Sequence, residues 1–325
     1  MRFLKSGFLT ASLCLTALAL PASAQTQWPP AQVTIMVPFA AGATPDIIAR
    51  LVGEKLKERT GKIFIVENRP GAGGNTGTMA VAKGPADGSV LGIGLLGGLG
   101  MNKLLMKSMP YDPDSEIRVV TILTEQPSAL AVSNEVGVSS VKELIEKLRA
   151  EPGKYNFSSI GQGSLSHLSM ELVANKSGTK VTHLPMKSSP EAAMAVMRND
   201  VQMTVLPAVS VLQLAKDGKM KLLAVTSEKR SSALPDVPTF KEAGVEGVVA
   251  VAWNALIAPA SVPAPVIDQI HGHVVAALND PALKENFSKQ IMEIKPMTPE
   301  QAKAYVAAEI VKWSAIVKAA GIEPQ

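Results

Sequence analysis

The sequence predicts an α/β fold in which two lobes are joined by crossing hinge strands. From Val33 onward, apolar strand-like runs alternate with helical patterns, which is typical of a mainly parallel sheet covered by helices. Two loops far apart in the chain each lead from an apolar strand through glycines directly into a helix. The last third holds too few elements for a domain of its own. We therefore expect it to return to the first lobe, which gives the architecture of a bilobed ligand trap.

The individual elements follow from apolar periodicity and from helix-start patterns. Strands are predicted at 33–38, 62–66, 89–95, 117–124, 129–134, 154–159, 180–184, 201–206, 220–226 and 249–258. Helix starts are marked by the capping-box pairs Ser140–Glu143 and Thr298–Gln301 and by the first-turn prolines Pro190 and Pro299. The C-terminal tail is predicted to form helices at 265–279 and 299–320. The lobes are then residues 25–127 with 251–325, and residues 128–250, with hinges near 126–129 and 248–252.

The first 24 residues match a secretory signal peptide. Arg2 and Lys5 precede an apolar run from Phe8 to Leu20, and small residues lead to a cleavage site after Ala24. The run is shorter than the roughly 20 apolar residues of a membrane helix, and no later segment reaches that length without charge or proline. We expect an exported protein that does not itself span the membrane.

The charge balance and the cysteine content exclude several classes of function. The chain has 32 Lys and Arg against 28 Asp and Glu, and loss of Arg2 and Lys5 with the signal leaves 30 against 28. These charges are dispersed and aromatic residues are few, so we expect no nucleic-acid partner. The single cysteine, Cys14, lies within the signal, so the mature chain has no disulfide or thiolate metal site. Leu13 precedes it, whereas a small residue is expected before a lipid-modified cysteine.

The two strand-to-helix loops are the strongest candidates for a binding site. The first spans Phe39 to Asp46 and the second spans Ser158 to His167. A helix start presents unpaired N–H groups and the positive end of the helix dipole, so a carboxylate or phosphate binds there without a cationic side chain. Two roles stay open at this stage. Asp46 either caps its helix and pairs with Arg50 or contacts the ligand, and His167 either contacts the ligand or supports its loop.

Other motifs have simpler explanations. Gly92–Gly97 matches the G-x-G-x-x-G dinucleotide pattern, but its first glycines fall inside a predicted strand and no βαβ unit follows. Gly71–Gly77 lacks the ending of a phosphate-binding loop and is predicted to form a tight turn, with ligand contact as the alternative. His271 and His273 point to opposite sides of a helix, which disfavours a shared metal, and His183 is predicted to be structural. No residue set supplies a nucleophile and a base, so we predict no enzyme, no metal and no cofactor.

Several short stretches together carry a resemblance to a known family. They are 37–42 with Asp46 and Ala49–Arg50, 66–74, 85–88, 110–113, 161–164 with His167–Leu168, 223–227 with Arg230, and 234–239. In this order and spacing they resemble the Bug-type solute receptors of tripartite tricarboxylate transporters. Each stretch is weak alone, but together they cover nearly all of the mature chain and are highly specific.

The resemblance implies a periplasmic binding protein whose two α/β lobes close on a small organic carboxylate and deliver it to the membrane subunits of a tripartite tricarboxylate transporter, without catalysis. Backbone amides and ordered water are the implied ligand contacts. Carried over by position, the ligand-binding residues are Phe39, Ala40, Ala41, Gly42, Ala43, Thr44, Asp46, Gly97, Gly98, Ser158, Gly161, Gln162, Gly163, Ser164, His167, Met186, Lys187, Leu206, Pro207 and Ala208. We expect a monomer. A receptor that scavenges or senses without its own permease, and an enzyme of small-acid metabolism, are the alternatives.

The sequence departs from the family pattern in both lobes. The first loop has Gly42–Pro45 where the family usually shows a Gly-Gly pair, and Pro45 has no N–H to offer an anion. The second lobe has His183–Ser188 in place of a pattern that usually carries Tyr and Lys-Gly. Met186 and Leu206 occupy places where polar or aromatic residues are common. We expect these two side chains to form an apolar wall that determines which carboxylate is bound.

Overall fold

The computed structural model describes residues 28–324. The predicted signal peptide, its cleavage after Ala24 and the position of Cys14 lie outside the described residues. Over residues 28–324, no helix combines the length and the apolar character that crossing a bilayer requires.

Strands and helices alternate along most of the chain. The strands are β1 (Gln32–Val37), β2 (Ile63–Asn68), β3 (Val90–Gly94), β4 (Ile117–Ser133), β5 (Asn156–Ser159), β6 (Thr182–Pro185), β7 (Met203–Pro207), β8 (Met220–Val225), β9 (Val251–Pro259) and β10 (Glu293–Ile294). The helices are α1 (Thr44–Thr60), α2 (Asn75–Ala82), α3 (Asn102–Leu105), α4 (Pro113–Glu116), α5 (Val141–Ala150), α6 (Leu165–Ser177), α7 (Ser189–Met197), α8 (Ala208–Lys216), α9 (Ala264–Leu278), α10 (Pro281–Lys289) and α11 (Pro299–Ala319). A π-helical turn, Gly97–Met101, leads directly into α3.

The strands form a mixed sheet in the order β2-β1-β3-β9-β4-β7-β5-β6, and β8 and β10 also pair with β4. Strand β1 pairs in parallel with β2 and β3, and β5 pairs in parallel with β6 and β7. Every pair that β4 or β9 makes is antiparallel. The α/β class is confirmed. The expected mainly parallel sheet is instead mixed, because the two long strands between the parallel groups run against their neighbours.

Strand β4 joins the two parallel groups. It pairs with β9 as far as Pro127, and from Ser128 to Ser133 it pairs with β7 and β8. The prediction of two strands, at 117–124 and 129–134, is wrong because Ile117–Ser133 is continuous. Polar residues and a proline interrupt the apolar pattern at 125–127, but β9 pairs with this segment through its backbone and keeps it extended.

Each parallel group packs on its own apolar core. Ile35 and Ile48 lie in the core of the β1 group, and Phe157 lies in the core of the β5 group. The C-terminal helix α11 contributes to both sides. Val306, in its first half, packs with residues of β3 and β9, whereas Trp313, in its second half, is fully buried in the core of the β5 group.

Helix starts largely follow the predicted caps. The Thr298 hydroxyl accepts the N–H of Gln301, and the Gln301 side chain accepts the N–H of Thr298, so this capping box is confirmed. The Ser140 hydroxyl accepts the N–H of Glu143, but the Glu143 carboxylate accepts the N–H of Ser139, so only half of the other box forms. Both predicted prolines lie in the first turns of α7 and α11.

Candidate functional site

A cleft of about 860 Å³ opens where the carboxyl ends of β1, β3 and β5 meet. Loops and helix starts gather at this edge of parallel strands, which is the usual place for ligand sites in α/β proteins. The first wall comes from the loops after β1, β2 and β3, and the opposite wall comes from the loop after β5 and the start of α6. The lining residues are Pro38, Phe39, Gly73, Gly74, Thr78, Leu95, Leu96, Gly97, Gly98, Met101, Asn102, Leu105, Met106, Lys107, Ser108, Ile160, Gln162, Gly163, Ser164, Leu165, Leu168, Val251, Ala252, Trp253, Ile322 and Glu323.

The first predicted loop reaches the cleft through Phe39. The next residues, 40–44, lie beside it and outside the lining, and residues 40–42 are exposed. The N–H of Gly42 donates to Asp46 Oδ2 at 2.8 Å, and the N–H of Ala43 donates to the carbonyl of Ala40 at 3.2 Å. These two amides are therefore committed to the loop itself and are not free for an anion.

Asp46 supports this loop from behind. Its side chain is buried and accepts hydrogen bonds from Arg50 Nε at 3.0 Å and Asn68 Nδ2 at 2.9 Å, in addition to the Gly42 N–H. Burial by itself would raise the pKa of Asp46, but the hydrogen bonds from Arg50, Gly42 and Asn68 outweigh it and hold that pKa below its ordinary value. Asn68 also donates to the carbonyl of Phe39 at 3.0 Å. Of its two candidate roles, the structure favours the local ion pair, because the carboxylate is buried, lies outside the cleft lining and already accepts hydrogen bonds from three residues.

The second predicted loop reaches the cleft through residues 162–164. The N–H of Gly161 donates to Ser159 Oγ at 3.1 Å, and the N–H of Gly163 donates to His167 Nδ1 at 3.0 Å. Hence the predicted amide donors Gly161 and Gly163 are both occupied within the protein. The loop is pre-shaped by its own hydrogen bonds before any ligand arrives.

Three rings stack behind the second loop. The centroids of His167 and His183 are 3.9 Å apart with planes 9° from parallel, and the Phe157 ring lies 4.9 Å from His183. Burial, reinforced by the neighbouring His167, lowers the pKa of His183 from 6.5 to about 4. His183 Nε2 lies 2.6 Å from Ser159 Oγ. His167 is outside the cleft lining, so the structure favours loop support over ligand contact for this residue.

A buried polar network holds the loops after β2 and β3 together. Asn75 Oδ1 accepts a hydrogen bond from Asn102 Nδ2 at 2.6 Å, and Asn102 Nδ2 also lies 3.1 Å from the Gly73 carbonyl. The Tyr111 hydroxyl donates to the carbonyl of Gly98 at 2.6 Å, and burial raises the pKa of Tyr111 to about 12. A Cβ on Gly98 would lie 2.5 Å from the Thr78 hydroxyl, so only glycine permits this close approach.

The cleft keeps a set of unpaired backbone donors. The N–H groups of Phe39, Gly97, Gln162 and Leu165 donate to no acceptor among residues 28–324. Each belongs to a residue of the lining. Gly97 and Leu165 are the first residues of helical segments, and Phe39 and Gln162 lie in the loops that lead into α1 and α6. Donors of this kind, at the positive ends of helix dipoles, stabilise a bound anion. The predicted mode of capture therefore has donors on both walls, although they differ from the glycine amides singled out in the sequence.

Several predicted ligand contacts lie away from the cleft. Ser158, Leu206 and Ala208 are fully buried, and Ser158 Oγ donates to the carbonyl of Ala192. The expected apolar wall of Met186 and Leu206 needs correction, because β7 is covered on both faces and Leu206 is enclosed in the core beneath α7 and α8.

Met186, Lys187 and Pro207 are also outside the lining of the cleft. Met186 packs at the edge of that same core, and the Lys187 side chain is exposed, with its backbone N–H held by Glu191 at 2.9 Å. The predicted contacts that the structure brings together on the cleft are therefore Phe39, Gly97, Gly98 and residues 162–164.

Much of the apolar lining could not be recognised from the sequence. Leu96, Met101, Leu105 and Met106 follow β3, and Trp253 lies near the start of β9. The segment after β3 combines a π-helical turn with a four-residue helix, which is too short to show helical periodicity. Its richness in leucine and methionine was the available signal.

The two histidines of α9 have different surroundings. His271 Nε2 lies 2.9 Å from the carbonyl of Met297, whereas the His273 ring packs 5.5 Å from Trp28. Over the described part of the chain, no group of three or more His, Cys, Asp or Glu side chains is placed to hold a metal ion.

Comparison with known proteins gives a consistent result. Residues 48–322 match the model of the family described as tripartite tricarboxylate transporter family receptor. The chain is 31% identical over 310 residues to Protein BugT of Bordetella pertussis, which covers 95% of each chain.

Solved structures extend this similarity to the fold. The R. palustris protein Rpa4515, solved with adipate, is 33% identical with a TM-score of 0.77, covering 92% of this chain and 100% of that one. The periplasmic binding protein BugD is 29% identical with a TM-score of 0.74, covering 92% and 100%. MatC from Rhodopseudomonas palustris, solved with bound malate, is 27% identical with a TM-score of 0.71, covering 88% and 98%.

Proposed function

The chain belongs to the tripartite tricarboxylate transporter receptor family, and on this premise we propose that it captures a small organic carboxylate outside the inner membrane and delivers it to a membrane transporter. Its family and fold are those of solute-binding receptors, not of enzymes. Two relatives were solved with carboxylates, adipate in one and malate in the other.

One observation carries the proposal. Unpaired N–H groups at Phe39 and Gly97 lie on one wall of the cleft, and those at Gln162 and Leu165 lie on the other. A carboxylate has two oxygens with several lone pairs, so it can accept hydrogen bonds from both walls at once. Capture by backbone donors requires no cationic side chain, which agrees with the absence of Arg and Lys from residues 39–46 and 158–167.

We assign direct ligand contact to the predicted residues that line the cleft, namely Phe39, Gly97, Gly98, Gln162, Gly163 and Ser164. Asp46 and His167 then act by positioning the two loops through the Gly42 and Gly163 amides. Water completes the contacts of the ligand where no protein donor reaches it.

We propose that the lobes comprise residues 25–127 with 251–325, and residues 128–250. The change of pairing partners at Ser128 supports the first hinge. A similar change of partners supports the second hinge. There the N–H of Ala250 donates to the carbonyl of Thr226 at 2.9 Å, and β9 begins pairing with β4 at the next residue. Closure about these segments would bring the two sets of amides onto one ligand.

The receptors of this family are periplasmic, and we propose that this one reaches the periplasm after cleavage behind Ala24. We propose that it acts as a monomer with the membrane subunits of a tripartite tricarboxylate transporter as its partner. A receptor that senses or scavenges without its own permease would use the same cleft, and neighbouring transporter genes separate these two functions.

A thermal-shift screen tests carboxylate capture directly. The mature protein is heated with di-, tri-, aliphatic and aromatic carboxylates, each beside its neutral primary amide. A carboxylate at 100 times its dissociation constant is expected to stabilise the fold by about 2.7 kcal/mol, and the matched amide is expected to have little effect. Equal stabilisation by acid and amide would contradict anion capture. Conversion of an acid by pure protein would favour the enzyme alternative.

A further inference from the structure

We propose that the ligand of this cleft is a carboxylate with an apolar body, either an alkyl chain or an aryl ring, that carries no hydroxyl groups along that body. The inference rests on the proposed function, because it takes carboxylate capture as its starting point and specifies the rest of the ligand. Two observations support it. Most buried polar side chains of the cleft are already hydrogen-bonded within the protein, and the other polar side chains lie at its rim.

The buried polar side chains of the cleft have their partners within the protein. Thr78 is buried, and its hydroxyl donates to a backbone carbonyl at 3.0 Å. Asn102 is buried, and its amide nitrogen is shared between Asn75 Oδ1 and a backbone carbonyl. The Ser164 hydroxyl donates to the carbonyl of Gly161 at 2.6 Å and accepts the N–H that caps α6. The donor groups of these side chains are therefore committed within the protein, and a ligand hydroxyl could accept from one of them only if a bond that the protein already makes were broken.

The remaining polar side chains of the lining are exposed. They are Lys107, Ser108, Gln162 and Glu323. Because they are in contact with water, they lie at the rim of the cleft and not beside the buried part of a ligand. Apart from Asn102 Oδ1 and the Trp253 indole N–H, the lining side chains therefore offer the buried part of a ligand mainly hydrocarbon, beside the unpaired backbone N–H groups.

The hydrocarbon surface is extensive and partly rigid. Leu96, Leu105, Met106 and Leu165 are half-buried and present hydrocarbon to the cleft, whereas Met101, Leu168 and Trp253 are almost completely buried within the lining. An alkyl or aryl group packed against them is removed from water with a gain in proportion to its buried area. A hydroxyl packed against the leucine and methionine side chains loses its water and finds no partner among them, so it weakens binding.

The size of the cleft also favours a ligand with a long or aromatic apolar body. Its volume of about 860 Å³ lies in the upper part of the roughly 300–1,000 Å³ range of small-molecule pockets. A short acid held by the amides would leave much of the apolar wall in contact with water. A longer or aromatic body covers that wall while its carboxylate keeps the same donors.

Isothermal titration of the mature protein with butyrate, hexanoate, octanoate and β-hydroxyoctanoate tests the inference. Affinity is expected to rise by about fourfold for each added methylene group and to fall by at least about tenfold when octanoate gains its hydroxyl. Affinity that stays flat along the series, or β-hydroxyoctanoate that binds as tightly as octanoate, would overturn the apolar-body inference and leave carboxylate capture intact. Octanamide that binds as tightly as octanoate would instead overturn the proposed function.

A pair of variants locates the effect. Leu96→Gln places a polar group on the apolar wall and is expected to weaken octanoate by about tenfold while changing butyrate little. Leu104→Gln is the matched control, because this half-buried leucine is nearby in α3 but outside the lining of the cleft. Equal losses of octanoate affinity in the two variants would contradict the assignment of the alkyl chain to this wall.

Discussion

The Nδ1 atom of His167 accepts a hydrogen bond from the backbone N–H of Gly163 at 3.0 Å. A side chain of α6 therefore fixes the loop that precedes that same helix. The imidazole ring is held in turn by stacking on His183 at 3.9 Å. The shape of this wall of the cleft depends on a stack of rings that does not line the cleft.

The stability of the protein is expected to fall in mildly acidic solution because of His183. The folded-state pKa of about 4 lies below the ordinary value of 6.5, so the unfolded chain binds more protons between these values and stability is lost as pH falls through that window. Urea unfolding at about pH 7 and about pH 5 should show a loss of about 1–2 kcal/mol, allowing for partial solvent exposure. His183→Gln, which cannot titrate, should lose less over the same interval. A wild type and variant with identical pH dependence would contradict this assignment.

Gly163→Ala is expected to weaken all carboxylate ligands together, by about tenfold. Gly163 has φ +71°, and a Cβ there would lie 3.1 Å from Leu105 Cδ1 across the cleft. The added methyl group therefore strains the backbone and pushes the two walls apart. Gly153→Ala is the control, since Gly153 has φ +77° with nothing within 4 Å of its Cβ position. Both variants should lose about 1 kcal/mol of stability, and only the first should lose affinity in titration calorimetry.

Asp46→Asn is expected to destabilise the protein by about 2–3 kcal/mol and to weaken ligand binding. The buried carboxylate accepts hydrogen bonds from Gly42, Arg50 and Asn68, and an amide cannot accept from all of them. Arg50→Gln should cost less than about 1 kcal/mol, because Arg50 is largely exposed and Asp46 keeps its other donors. Urea denaturation measures the loss of unfolding free energy in each variant. A larger effect at Arg50 than at Asp46 would mean that the ion pair, and not the loop amide, is the main contact.

Ligand binding is expected to change the tryptophan fluorescence through Trp253. The chain has three tryptophans, and Trp253 lines the cleft whereas Trp28 and Trp313 are buried in the cores of the two parallel groups. Trp253→Phe should remove most of the ligand-induced change in emission. Trp28→Phe should keep it, although the loss of the indole bond to the Gly88 carbonyl lowers stability. A change that survives Trp253→Phe would show that the signal arises at a distance from the cleft.

Much of the fold follows from local pattern. Most predicted strands lie within about three residues of the observed ones, because apolar runs bounded by glycine and proline are strong local signals. The exception is β4, where Glu125–Pro127 interrupts the pattern while the pairing of β9 keeps the strand extended. Helix α10 is short and was not predicted in the sequence; its cap, Asp280, is followed by a proline and only Leu283 and Phe287 are buried.

The site was only partly predictable, for a geometric reason. The position of a loop at the end of a strand follows from the sequence, and Phe39 and residues 162–164 accordingly reach the cleft. Which face of a strand or helix a side chain occupies depends on packing from distant segments. Leu206 is therefore buried in a core that sequence position alone does not reveal, and Trp253 reaches the cleft from a strand more than 200 residues after β1.

The span of α11 over both parallel groups has a consequence for biosynthesis. Trp313 fills the core of the group whose parallel strands β5, β6 and β7 precede it by more than 100 positions, while Val306 completes packing around β3 and β9. Because these residues are made after all the strands of both groups, neither half has its full set of packing partners until α11 has emerged. Vectorial folding of one half as a finished unit is therefore disfavoured, and a chain truncated before α11 would leave apolar surface open on both halves.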